Sequence, residues 1–380
     1  MITSTRKVAL AVAALTATVP GLAVVGGSVA AESTQSRSHH SSADPRLAGG
    51  HTVVVSGLDN PRQLAWANNG DLLVAEAGHG SYGKKGTCFS GPEGTNCVGF
   101  SGKVSRIGHP ATASNRKPHR IARGFVSGAG KDGSFAVGSD GVDQGPLGKI
   151  YVQETYVPPE GRLGGVQGRQ SGKLLDVHKG IVANISAFEF AHNPDGEILD
   201  TDPYAVLALK DHQLVADAAG DDILRVQGGN LSVWALLPGD TAKVDPVPTS
   251  LARGPNGNIY VGTLYSLAPH KARLLRYSPN GHLQKSWFGF TSVTGVAVGA
   301  HGSVYVSQLF AGCPPGPPSP TCLPGRVTRI APDGTRHTIK VPFPAGLAVR
   351  NGHLYVSAWS ISPSRGVANM APPGQVWRIG

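Results

Sequence analysis

Several chemical signatures are missing from this sequence. It contains no Gly-x-Ser-x-Gly elbow, no P-loop and no His-Glu-x-x-His pair, so the local motifs of serine hydrolases, phosphate-cradling NTPases and zincins are absent. Gly78-His-Gly-Ser-Tyr-Gly83 has the spelling of a dinucleotide fingerprint. No helix or βαβ unit is predicted after it, and it carries no nucleotide site. Charge is scarce at 15% of residues, while the 52 glycines and 29 prolines are spread along the chain instead of massed in one linker. That distribution suits many short strands and tight turns.

The N-terminus reads as an address. Arg6 and Lys7 precede an apolar stretch, Val8 to Val25, broken by Pro20 and Gly21, and small residues surround Ala30 and Ala31. This is the pattern of a signal peptide over residues 1–31. A stable membrane anchor is not expected, because the stretch is marginal for a span of about 20 residues. No cysteine stands there to take a lipid, and Arg6-Lys7 is not a twin-arginine pair. Residues 32–50, rich in Ser and His, are predicted to be a flexible leader, and His39 and His40 are read as solvated. The net charge is +10, or +8 without Arg6 and Lys7. Its local concentration, Arg116, Lys117, His119, Arg120 and Arg123, lacks the interleaved aromatics of a nucleic-acid platform, so no nucleic-acid partner is expected. Attraction to anionic cell-wall polymers or polyanionic glycans is consistent with the excess of positive charge.

The remainder, 51–380, is dominated by a repeat: a short apolar strand, a turn often bearing glycine, a second strand with Leu-Val or Tyr-Val, then a third strand. Six copies are marked by Val74, Val152, Val215, Val261, Val306 and Val356, spaced 78, 63, 46, 45 and 50 positions apart. The later spacings match a four-stranded blade of roughly 40–50 residues. A lone four-stranded sheet leaves two apolar faces wet, and stacking blades around an axis buries both. The fold predicted is an all-β, six-bladed β-propeller. The last copy stops at Ile379 with its third strand, whereas Thr52-Val-Val-Val55 precedes the first copy. That N-terminal strand is predicted to complete the last blade from outside and close the ring. Phe135-Ala-Val137 is assigned as the first strand of blade two, and Asn-Gly pairs such as Asn69-Gly70 as tight hairpin tips.

Asp59-Asn-Pro-Arg-Gln-Leu-Ala-Trp66, Leu73-Val-Ala-Glu-Ala-Gly78, Ser101-Gly-Lys-Val-Ser-Arg-Ile107, Phe188-Glu-Phe190 with Asn193-Pro-Asp-Gly196, and Val215-Ala-Asp217 with Ile223-Leu-Arg-Val226 resemble the ScyD/ScyE family. These are secreted proteins common in actinobacteria. The resemblance covers nearly all of the mature chain and implies a propeller related to NHL-repeat proteins, with no catalytic residues to carry over. Ala218-Ala-Gly-Asp-Asp222 departs from it, standing where an Ala-Gly-Gly-Asn stretch is typical.

Long insertions follow the second strands at 77–101, 155–171, 309–324 and 359–373, so they are predicted to emerge on one face, as a binding surface or as caps over the channel. Two of them hold all four cysteines. In an exported chain these read as local disulfides, Cys88 to Cys97 and Cys313 to Cys322. Two residues beyond the marker valines stand Glu76, Glu154, Asp217 and Gln308. Their oxygens are candidate ligands for calcium or another hard divalent cation near the channel mouth. The alternative is that each caps its own strand end. The function read from these features is an extracellular binding or scaffolding propeller, expected to be a monomer, with a glycan, peptide or protein ligand. Two enzyme readings compete. One is a metal-dependent hydrolase or lactonase resembling the gluconolactonase propellers, with Glu76 or Glu154 as base. The other is a quinone-dependent sugar dehydrogenase, whose opening blade Asn60-Pro61 through Glu76 resembles.

Overall fold

The computed structural model describes residues 44–47, 50–91, 94–157, 169–239, 244–313, 323–368 and 371–380. The expected signal segment, most of the leader, and Cys322 lie outside them. After β1 (Thr52–Leu58), blade one is built from β2 (Pro61–Trp66), β3 (Leu72–Glu76), β5 (Gly94–Ile107) and β6 (His119–Ala129), with β4 (Cys88–Gly91) folded back on the start of β5. Blade two has β7 (Ser139–Gln144), β8 (Ile150–Glu154), β9 (Lys173–Asp176) and β10 (Gly180–Asn184), and helix α1 (Ile185–His192) leads out of it. Blade three has β11 (Pro203–Ala208), β12 (Gln213–Asp217), β13 (Asp222–Gln227) and β14 (Asn230–Leu236), and blade four β15 (Pro248–Arg253), β16 (Ile259–Thr263), β17 (Ala272–Tyr277) and β18 (Leu283–Phe290). Blade five has β19 (Val293–Val298), β20 (Val304–Gln308), β21 (Arg326–Ile330) and β22 (Arg336–Lys340). Blade six has β23 (Leu347–Arg350), β24 (His353–Ala358) and β25 (Gly374–Ile379), and β1 supplies its outer strand. The protein is a six-bladed β-propeller closed by its N-terminal strand.

Strand alternation shows why the blades must stack. Leu72 and Val74 of β3 pack with Val54, Tyr355 and Val376 of blade six, whereas Leu73 and Ala75 pack with Val142, Ile150 and Val152 of blade two. Successive side chains point to opposite faces, and both faces are apolar. All six marker valines are fully buried. The inner strands β2, β7, β11, β15, β19 and β23 run side by side around the axis. Their approach is close enough that a Cβ on Gly346 would lie 2.3 Å from the Arg62 carbonyl oxygen, and one on Gly295 2.2 Å from that of Ala345. Only glycine fits such backbone contacts.

Arg62 ties this ring together. Its side chain is 4% exposed, and its Nε lies 3.1 Å from Asp140 Oδ1 of β7. One terminal nitrogen donates to the Ser360 carbonyl of blade six at 2.9 Å, and the other to the Ala136 carbonyl before blade two. Burial pushes the Asp140 carboxyl up to about 6 even beside this guanidinium.

Two sequence assignments are corrected. Blade two opens at Ser139, not at Phe135-Ala-Val137, which form the link between blades, with Val137 bridging Gly128. The true strand, Ser-Asp-Gly-Val-Asp-Gln, hydrogen-bonds its polar side chains inside the ring and so lacks an apolar signature. Asn-Gly also plays two roles. Asn351 and Gly352 both have positive φ, 51° and 76°, in a two-residue hairpin between Arg350 and His353, as the mirror-image type I turn requires. At Asn69-Gly70 only the glycine is left-handed, and Asn69 Oδ1 accepts the Asp71 N–H at 3.1 Å.

In the clasp, β1 runs antiparallel to β25 with Thr52 opposite Arg378 and Leu58 opposite Gly374. Part of the expected leader is docked as well. The Asp44 carboxylate accepts the His301 and Ser303 N–H groups at 2.9 and 2.8 Å, and Leu47 joins the apolar contact between blades five and six. A deletion through Ser56 removes Val54 and Val55, both fully buried, each contributing about 1.5–3 kcal/mol. Urea denaturation is expected to show that deletion several kcal/mol less stable than a deletion through Gly49. Coincident curves would remove the clasp from the account.

Cys88 and Cys97 face each other across the β4–β5 hairpin and are disulfide-bonded. Cys313 is also disulfide-bonded, and the expected pairing with Cys322 falls on a residue outside those described. Cross-linking a short loop of this size is worth roughly 2.7 kcal/mol in the chain-entropy model. Because the bridge closes only its own hairpin, Cys88→Ser/Cys97→Ser is expected to increase protease cleavage within 84–97 while the thermal midpoint moves by only a few degrees. Global unfolding at ambient temperature would contradict this.

Candidate functional site

The connections between second and third strands and the links between blades meet on one face of the ring. Leu309, Phe343 and Ile361 are buried there with Phe135, Phe310 and Trp359 packed against them, and the Phe135 N–H donates to the Ile361 carbonyl at 3.0 Å. Aromatic groups from the links and insertions of blades one, five and six thus pack together on this face.

The four expected cation ligands end their second strands at this face, and each is 2% exposed or less. Glu76 Oε2 accepts the Asp59 N–H at 2.8 Å and its Oε1 the Ser105 hydroxyl at 2.5 Å. Asp217 accepts the Thr201 hydroxyl and the N–H groups of Asp202, Ala219 and Gly220. Gln308 Oε1 accepts the Thr291 N–H at 3.0 Å, and Glu154 Oε1 the Ser139 hydroxyl at 2.6 Å. Register explains the pattern. Pro61, Pro203 and Val293 pair with Glu76, Asp217 and Gln308. The longer Glu and Gln reach the N–H two residues before the paired position, and the shorter Asp reaches only one. The bonds of Glu76, Asp217 and Gln308 belong to strand capping within each blade, whereas Glu154 meets no backbone N–H and its buried Oε2 has no hydrogen-bond partner among the described residues. A cation shared among the four would have to draw Glu76, Asp217 and Gln308 away from their caps, and no group of three or more His, Cys, Asp or Glu side chains placed to hold a metal ion occurs among the described residues.

The structure also gathers a charged cluster on the same face, on blade one. Asp59, in the link before β2, has a side chain 2% exposed. Its Oδ1 lies 3.1 Å from His79 Nδ1 and accepts the Ser364 N–H of blade six at 2.6 Å. Its Oδ2 accepts from Lys103 Nζ and lies 3.9 Å from Arg120, which also reaches Glu76 at 3.3 Å. Burial by itself raises the Asp59 carboxyl. His79, and Lys103 by charge and hydrogen bond, overcome it and hold the group well below the usual carboxylate range. The His79 ring stacks on Tyr82 with centroids 4.1 Å apart, and Arg365 from the blade-six insertion lies 3.5 Å above the same ring. The phenol is therefore held between an imidazole and a guanidinium. Gly133 makes room for it, since a Cβ there would lie 2.3 Å from Tyr82 Cε1.

This assembly can present a fixed aromatic-cation surface to a ligand. Sequence reading did not single out Asp59, His79, Tyr82, Lys103 or Arg365. The signal that pointed nearest was the length of the insertions at 77–101 and 359–373.

A second charged group lies on blade three. Asp222 is fully buried at the start of β13, and neither carboxylate oxygen has a hydrogen-bond partner among the described residues. Burial pushes its carboxyl well above the ordinary aspartate range, and the charges of Asp217, Glu189, Asp195 and Asp221 push it further. A raised carboxyl keeps its proton in the folded state after the unfolded chain has lost it. Its stabilisation is therefore present at low pH and is lost as pH climbs from the ordinary aspartate value through the folded one. Asp222→Asn is expected to raise the urea midpoint at pH 7.5 and to flatten its decline between pH 4 and 7.5. An unchanged decline would assign the pH dependence to other groups.

No family model and no curated protein matches the sequence. Among solved structures, a gluconolactonase from Xanthomonas campestris is 12% identical, with TM-score 0.45 over 86% of this chain and 88% of that one. A streptogramin B lyase is 11% identical, with TM-score 0.43 over 87% and 96%. The nidogen/laminin complex contains a chain 12% identical, with TM-score 0.42 over 70% and 86%. What this chain shares with NHL- and gluconolactonase-like structures is the propeller, which its own strand pairing already establishes. Their activities do not transfer with it.

Proposed function

We propose that this is a secreted, ScyD/ScyE-like propeller, exported by residues 1–31, that acts as an extracellular binding protein through the insertion-bearing face of blades one and six. The observation that carries this reading is the convergence on Tyr82 of the 77–101 insertion, the link through Gly133 and the 359–373 insertion. Surface loops normally cost conformational entropy when a ligand orders them, and a surface already packed avoids much of that cost. The hydrolase reading is less well supported. Glu76 and Glu154 are fully buried, and both Glu76 oxygens are engaged by hydrogen bonds. The Asp59–His79 pair is the feature that keeps hydrolysis as a second reading.

The test uses insoluble bacterial wall sacculi and glucono-δ-lactone. The wild type is expected to sediment with the sacculi, and Tyr82→Ala/Arg365→Ala to lose at least about tenfold in affinity, equivalent to about 1.4 kcal/mol. Equal sedimentation of the two would sink the binding surface. Lactone turnover abolished by His79→Ala would favour the second reading.

A further inference from the structure

The exposed edge of the Tyr82 assembly is basic in a way that linear sequence conceals. Lys84 and Lys85 follow Tyr82 in the blade-one insertion, Lys131 lies in the link to blade two, and Arg365 arrives from blade six. All four residues are exposed. Lys131 lies directly against the insertion, because a Cβ on Gly83 would be 3.5 Å from Lys131 Cβ. Arg365 is placed by its stack on Tyr82 and by its 3.5 Å contact with the Asp132 carbonyl. None of the four has a carboxylate partner among the described residues. The acids nearby are differently disposed. Asp59 and Glu76 are buried and matched by Lys103 and Arg120, and the exposed Asp132 turns its Oδ1 inward to the Ser134 N–H and hydroxyl at 3.0 and 2.7 Å.

Buried charge is therefore compensated beneath the surface, while above it four cations from three segments stand without an ion-pair partner among the described residues and outnumber the single exposed carboxylate of Asp132. Beneath Lys84 the backbone is held by hydrogen bonds and a disulfide. The Lys84 carbonyl accepts the Thr87 N–H at 3.1 Å and the Thr87 hydroxyl at 2.6 Å, and the next residue, Cys88, is disulfide-bonded to Cys97. Flexible ammonium groups on a fixed base suit a ligand with repeated negative charges and no single required geometry.

We propose that this patch binds an extracellular anionic glycopolymer, recognised through repeated phosphate, sulfate or carboxylate groups. The site rests on the binding reading above and deepens it by naming the ligand chemistry. Arg365, exposed and held against the Tyr82 ring, gives a neighbouring planar surface on which a sugar ring can lie, and the lysines neutralise the charges on either side of it. Because each contact releases condensed counterions from the polymer, affinity falls as salt rises, and more steeply with more contacts.

The probes are poly(glycerol phosphate) and polygalacturonate, with neutral dextran as the control polymer. Lys84→Glu/Lys131→Glu is compared with Lys149→Glu/Lys210→Glu, which makes the same change in net charge at exposed positions in other blades. Wild type is expected to bind at least one anionic polymer and not dextran. The first double variant is expected to lose at least about tenfold in affinity and to show a shallower salt dependence, and the second to lose less than about twofold. Equal losses in both variants would overturn the patch in favour of net charge alone. Tighter binding of single-stranded DNA of matched charge, weakened by the same pair, would overturn the ligand class. Failure of wild type to bind either anionic polymer, while Tyr82→Ala/Arg365→Ala still releases the protein from sacculi, would overturn the anionic ligand and leave the binding surface standing.

Discussion

Two-sided burial is the constraint on which this molecule depends. Each second strand carries apolar side chains toward both neighbouring blades, as Leu72 and Val74 do on one face of β3 and Leu73 and Ala75 on the other. A strand of that kind has no stable surface of its own, and an open stack of blades would leave two apolar faces wet. The ring must close, and it closes where the chain ends meet. Strand β1 joins β25 by main-chain pairing, and Arg62 bonds across the top from blade one to blade six and to the start of blade two. The buried guanidinium is tolerable because a carboxylate and two carbonyls meet its donors. Removing either partner would leave an uncompensated buried charge, which costs more than the pair itself contributes.

Closure also decides where polar groups go. At the insertion face the second strands end, and the N–H groups just before each inner strand would be buried without partners. Glu76, Asp217 and Gln308 meet them. At Glu76, Asp217 and Gln308 the recurrence of oxygen-bearing side chains at this offset follows the repeated backbone geometry of the blade. The same alignment that suggests convergence on an axis produces convergence on equivalent N–H groups, and reach separates Glu and Gln from Asp at these positions.

Much of the architecture is legible in the sequence because it is written in short-range periodicity. The marker valines, the unpaired Thr52-Val-Val-Val55 and the terminal third strand together imply six blades and a clasp. Blade two is less legible, since Ser139-Asp-Gly-Val-Asp-Gln144 is polar and resembles a loop until its side chains are seen hydrogen-bonded within the ring. Helix α1 is hidden for a different reason. Its eight residues are too short for a periodic pattern, and it is held by the Asn184 side chain at one end and a left-handed Asn193 at the other. The charged site is illegible in principle. Asp59 touches Ser364, and Tyr82 touches Arg365, across almost the whole chain. No local pattern encodes a contact of that separation.

That separation bears on how such a surface can change. The four cations are themselves exposed on segments that the ring holds together, so charge there can be altered at small cost to the fold. Tyr82, Gly133 and Asp59 are different, because they seat these segments on one another. The blade-one and blade-six segments meet only if β1 has brought blade six beside blade one, since β1 is the outer strand of one blade and leads directly into the first strand of the other. The clasp therefore both completes the core and sets the spacing of the cations above it. A propeller loosened at its clasp would keep most of its blades and lose the register between Arg365 and Tyr82 first.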